Sequence, residues 1–163
     1  MFLLYNIIIL LKNKNMKIIS SVFKNNQSIA SKYTCDGLDI NPPLEFEDIP
    51  KNTKSLVLIM DDPDAIKPAG KVWDHWLVFN IPPETRKIEE NKEPKGIHGQ
   101  GTSNNLNYHG PCPPDGQHRY FFKLYALDTS LNLKEGITKK EIEIAMINHI
   151  IAETKLIGLY QRQ

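Results

Sequence analysis

Ser55-Leu56-Val57-Leu58-Ile59-Met60-Asp61-Asp62-Pro63-Asp64 is the stretch that sets the architecture. Residues 56–60 are apolar without interruption, so a strand made from them has no face for water and must be central, covered on both sides. Residues 76–79, Trp-Leu-Val-Phe, have the same character. Around these two runs, residues 18–23, 55–60, 76–81, 120–127 and 156–160 are short, β-branched or aromatic, and read as strands. Pro42, Pro43, Pro50, Pro82, Pro83, Pro113 and Pro114 fall between them and mark turns. The expected fold is mostly β, an antiparallel β-sandwich with a small flanking helical element near the C-terminus.

That helix has its own signature. Thr138 and Glu141 form a capping box, and Ile142, Ala145, Met146, His149 and Ile150 follow at helical spacing. Residues 87–107 are long, polar and weakly patterned, and are expected to be mostly surface loop. At 163 residues, 40% hydrophobic and 24% charged, the chain is the size and composition of one globular domain. Lys+Arg 20 against Asp+Glu 19 gives a net charge of +1, which argues against a nucleic-acid binder, since neutralising phosphates needs a large cationic excess.

The termini and the cysteines bear on location. Residues 1–11 are an apolar run too short to span a bilayer, and Lys12 and Lys14 follow it rather than precede it. Met16 then opens a strand-like stretch. Residues 1–15 are therefore expected to be a start-site extension or N-terminal segment, and residues 16–163 the domain. A membrane anchor or export signal is the alternative. Cys35 and Cys112 are too few for a disulfide scaffold and lack metal-ligand spacing. Without a convincing export signal, the expectation is a cytoplasmic protein with two free thiols.

Polar residues gather where the strands end. Asp61, Asp62 and Asp64 follow the first apolar run, a pattern that also suits a plain solvated turn. In Val72-Trp73-Asp74-His75-Trp76, strand alternation puts Trp73 and His75 on one face and Asp74 and Trp76 on the other. A histidine inside an aromatic wall is unusual, although a satisfied core histidine reads the same way. Gly110-Pro111-Cys112-Pro113-Pro114-Asp115-Gly116-Gln117-His118-Arg119-Tyr120 is a stiff loop that delivers His118 and Tyr120 side by side on the next strand.

These pieces resemble the phosphatidylethanolamine-binding protein family, in its bacterial and archaeal, Raf-kinase-inhibitor-like branch. The resemblance rests on Tyr33-Thr34-Cys35-Asp36-Gly37, Asn41-Pro42-Pro43-Leu44, Asp62-Pro63-Asp64-Ala65, Asp74-His75-Trp76 with Asn80-Ile81-Pro82, and residues 110–125. The Ala145-Met146 helix and Leu156-x-Gly158-x-Tyr160 also fit, so it covers about residues 16–162. It implies a small cavity for phosphate or a phospholipid headgroup, lined by Asp62, Trp73, His75, Gly110, His118 and Tyr120, with Asp64 supporting the loop. Gly110 would offer an unobstructed backbone N–H to the anion, and both histidines would donate as imidazolium. The departures are Ile66-Lys67 before Pro68, where the family usually has proline directly after Ala65, and His109, where this branch usually has glycine. The first puts in doubt any cis-peptide the family keeps there.

The reading is thus a binding protein for a small anionic ligand, without cofactor or metal and not an enzyme. A kinase or protease partner, implied by the family name, and a homodimer are compatible with it. The alternative is a metal-dependent or acid/base hydrolase using the same His/Asp pocket, through a two-histidine-one-carboxylate arrangement.

Overall fold

A computed structural model describes residues 15–163. The expectation for residues 1–15 lies, save for Asn15, outside the described residues. Strand β4 (Ser55–Asp62) is buried along its whole length, as its apolar run requires. It pairs antiparallel with β5 (Trp73–Ile81) on one side and β8 (His118–Leu127) on the other. β8 in turn pairs with β9 (Ile150–Tyr160). The short strands β2 (Gln27–Ser28) and β7 (Ile97–His98) edge this six-stranded sheet, in the order β2-β9-β8-β4-β5-β7. β1 (Lys17–Ile19), β3 (Leu44–Glu47) and β6 (Lys87–Ile88) form a second, three-stranded sheet, β1-β3-β6.

The expected sandwich is present, with corrections. β2 runs parallel to β9, so the larger sheet is mixed at that edge. Residues 18–23 give a strand only to Ile19, and residues 87–107 contribute β6 and β7 as well as loop. Two apolar layers cover the large sheet. Ile18, Phe46 and Ile88 from the small sheet meet Leu58, Val78 and Phe122 on the inner face. On the outer face, Ile59, Leu77 and Phe79 pack under Ile142 and Met146. This accounts for the two-sided apolarity of β4 and β5.

Two helices bear on the site. α1 (Ile66–Ala69) is a single turn that follows the 3-10 turn Pro63–Ala65, and ends on Gly70 at φ 75°. α2 (Lys139–Met146) opens on the expected Thr138/Glu141 capping box. It stops at Met146. His149 and Ile150 fall beyond it, Ile150 beginning β9, so the last two members of the helical stripe belong to a turn and a strand. No helix among the described residues is long and apolar enough to cross a membrane.

Candidate functional site

The site lies where β4, β5 and β8 bring their polar ends together. A β-bulge builds it. Between the pairs Met60↔Trp76 and Asp61↔Asp74, β5 carries one residue more than β4, and that residue is His75. The extra residue breaks the alternation of faces. Trp76 stays in the inter-sheet core. Asp74 turns to the outer face, where it meets Lys139 of α2 at 2.5 Å. The expectation that Asp74 and Trp76 share a face is therefore corrected, because simple alternation does not anticipate a bulge. Trp73 and His75 do open on the same cavity.

That cavity is about 320 Å3. Asp62, Trp73, His75 and His118 line it, with His109 and Ser103 at its side. Ala65, Pro68 and Ala69 close it from α1 and the turn before it, and Cys112, Pro113 and Pro114 from the loop before β8. The Ile66-Lys67 insertion thus forms the helical turn α1, and the described residues contain no cis peptide bond.

Hydrogen bonds fix the polar side chains. His118 Nδ1 donates to Asp62 Oδ2 at 2.6 Å, and its Nε2 meets Asp115 Oδ1 at 3.1 Å. The other Asp62 oxygen accepts from the amides of Asp64 and Ala65, at 2.9 and 3.2 Å. Burial pushes the Asp62 carboxyl up, and the bond from His118 pulls it back only in part. Burial also opposes a charge on His118, but the hydrogen bonds to Asp62 and Asp115 outweigh it and hold the ring above the ordinary histidine range. The pair favours the imidazolium.

His75 differs. Its Nδ1 donates to the His109 carbonyl at 2.7 Å, and burial lowers its pKa to about 4. It is neutral at pH 7, so the expectation of a second imidazolium donor is corrected. Desolvation decides it, because no carboxylate bonds the ring.

Three other expected site residues do not line the cavity. Tyr120 lies beneath it, its ring edge-on to His75 at 5.3 Å and stacked with His118 at 6.5 Å. Its hydroxyl is buried, with the Cys112 backbone amide nearby but not at good hydrogen-bond geometry, and burial pushes its pKa well up. The Gly110 N–H is not open to an anion. It donates to Asp39 Oδ1 at 2.6 Å, and any Cβ there would lie 2.3 Å from the Tyr33 carbonyl oxygen. This glycine is needed for close approach of two backbones. Asp64 accepts from the Arg119 amide, Nε and Nη2 at 2.8–2.9 Å, which ties the turn after β4 to the start of β8.

Asp39 and Asp115 were missed. Asp39 Oδ2 meets His109 Nδ1 at 3.1 Å, 70 residues away, and only the fold brings them together. Asp115 stood in plain view, three residues before His118 in the stiff loop. The free-thiol expectation is corrected too. Cys35 and Cys112 form a disulfide, with Cα atoms 5.4 Å apart although 77 residues separate them. Among the described residues no cluster of three His, Cys, Asp or Glu side chains is placed to hold a metal ion.

Comparison with known proteins bears on the family and the fold. The model of the phosphatidylethanolamine-binding protein family matches residues 19–161. The chain belongs to that family. A UPF0098 protein from Methanothermobacter thermautotrophicus is 48% identical over 153 residues, 90% of this chain and 99% of the relative. Another, from Pyrococcus horikoshii, is 50% identical, covering 89% of this chain and 76% of its own length. The crystal structure of a putative phosphatidylethanolamine-binding protein homologue from Chlamydia trachomatis superposes with a TM-score of 0.86 at 41% identity, covering 93% of this chain and 99% of that one. The crystal structure of E. coli YbcL, described as a new member of the mammalian PEBP family, gives 0.83 at 26% identity, covering 91% and 99%. These neighbours share the β-sandwich.

Proposed function

We propose that this family member binds a small ligand through an anionic phosphate, received by His118 in the cavity walled by Trp73. One observation carries the reading. His118 is buried, yet its bonds to Asp62 and Asp115 hold it above the ordinary histidine range, and Nε2 is the ring atom not tied to buried Asp62. An imidazolium in a low-dielectric pocket attracts a phosphate oxygen more strongly than it does in water. Neutral His75 and the apolar faces of Trp73 and Pro113 supply shape rather than charge. A free phosphate and a headgroup offer the same chemistry here.

Calorimetry with inorganic phosphate and phosphoethanolamine tests it. Replacing His118 with Ala removes a charge-assisted hydrogen bond, about 1.5–3 kcal/mol, or about ten- to a hundredfold in affinity. His118→Gln, which keeps a donor for Asp62, guards against simple loss of the fold. His149→Ala, in the turn beyond α2, leaves affinity unchanged. Because His118 titrates above the ordinary range, binding holds through pH 6.5 and weakens above it. Equal affinity in wild type and both His118 variants would sink the assignment.

A hydrolase is the second reading, favoured by the 2.6 Å Asp62–His118 pair, since a carboxylate that orients an imidazole is also general-base geometry. Steady turnover of p-nitrophenyl phosphate or p-nitrophenyl acetate, lost in His118→Gln, would establish it over binding alone.

A further inference from the structure

We propose that Asp115 is a built-in anion that occupies the ligand's place on His118 and must swing away before any phosphate can bind. The inference rests on the anion-pocket reading above and names what controls its affinity.

The observation is a mismatch of environments across one contact. His118 is 5% exposed at its side chain, whereas Asp115, whose Oδ1 lies 3.1 Å from Nε2, is 52% exposed. Nδ1 of the same ring is tied to buried Asp62, so Nε2 is where an incoming oxyanion would bond. A carboxylate from the protein already stands there. A pair with one partner in solvent is more readily exchanged than one buried at both ends, because the departing carboxylate is already largely hydrated.

The segment around it is held at both ends and exposed between. Cys112 is fixed to Cys35 by the disulfide, and Cys35 N–H donates to the Pro111 carbonyl at 3.1 Å. Arg119 is clamped to Asp64 through its amide and guanidinium. Between them, residues 114–117 are exposed, and Gly116 sits at φ 53° with open space where a Cβ would project. Left-handed backbone at a glycine costs little, so the arm can rearrange there without moving His118. The contact is thus a small conformational tax. The binding-competent state is the one with Asp115 out, and apparent affinity is scaled by its population.

A tax of this kind has a signature that direct contact lacks. It is levied before the ligand arrives, so removing it strengthens every anionic ligand by nearly the same factor. Calorimetry of wild type, Asp115→Ala and Asp115→Asn tests this with two probes, inorganic phosphate and glycerophosphoethanolamine, one for free phosphate and one for a lipid headgroup. Measured at about pH 5.5, so that the ring keeps its proton without the help of Asp115, Asp115→Ala is expected to bind both about three- to tenfold more tightly. Asp115→Asn, which keeps an acceptor but no charge, falls between. The wild-type 13C carboxyl resonance of Asp115 is expected to shift on adding phosphate. Equal or weaker binding by Asp115→Ala, with wild type binding normally, would overturn the inference and leave the anion pocket intact. A gain for one probe and a loss for the other would overturn it in favour of direct contact with the ligand. Binding of neither probe by wild type or variant would overturn the anion-pocket reading itself.

Discussion

His75 shows how position alone sets a titration. Its ring is buried with one nitrogen on a backbone carbonyl, and its pKa falls from 6.5 to about 4. A depressed histidine stabilises the fold above the unfolded value, and that stability is lost as pH falls through 6.5 toward 4, because the unfolded chain gains a proton that the native ring refuses. Acidification from pH 7 to pH 5 therefore costs about 2 kcal/mol at this residue. His75→Gln, which keeps a donor for the His109 carbonyl, should remove that part of the loss. Urea unfolding at the two pH values measures it, and an unchanged acid loss in the variant would refute the assignment. His118 and Asp62, both raised, act in the opposite sense: their stability is present at low pH and declines as pH rises. The candidate residues were visible in the sequence as polar letters at the ends of apolar runs. Their protonation was not, because desolvation and partners come from chain segments far away.

The strand end that carries His75 is held from behind by a helix. Lys139, at the first turn of α2, bonds Asp61 Oδ2 at 3.0 Å and Asp74 at 2.5 Å, joining the ends of β4 and β5 one residue from Asp62 and His75. Asp61 is 2% exposed and also takes Lys123 at 2.7 Å. Lys139→Met leaves Asp61 on Lys123 alone and takes from Asp74 its cation, and should cost about 2–4 kcal/mol in chemical denaturation. A cost under half a kilocalorie (well below that of a broken buried pair) would show that Lys123 suffices. Thr138→Ala removes the cap alone and should cost about 1 kcal/mol. The start of α2 was legible because a capping box is a local device. Its end was not: Met146 and Ile142 fill the outer core, but the chain must turn at once to feed Ile150 into β9. The bulge at His75 was equally hidden, since nothing in Trp73-Asp74-His75-Trp76 says that β4 will be one residue short.

The disulfide ties the molecule together around the cavity. It joins the segment after the 3-10 turn Ser31–Tyr33 to the loop before β8, closing 77 residues of sequence separation. Such a link restrains the unfolded chain and typically contributes about 2–4 kcal/mol. Melting with and without a dithiol reductant, and a melt of the Cys35→Ser/Cys112→Ser double variant, should show matching losses. Two titratable thiols in denatured, unreduced protein would refute the bond. Periodicity and apolar runs specified that β4 and β5 would be central, that strands would dominate and that a capped helix would flank them. These properties follow from which side chains must leave water and which backbone spacing lets them do so. The motif letters also placed Asp62, Trp73, His75 and His118 in one pocket by resemblance. Tertiary structure alone decided the parallel edge strand, the bulge, the cysteine pairing, the loss of Gly110 as a donor and the carboxylate on His118. Each depends on two segments distant in sequence meeting at a particular register or separation, or on the path of a loop, and the pattern of one segment carries no information about where its partner will lie.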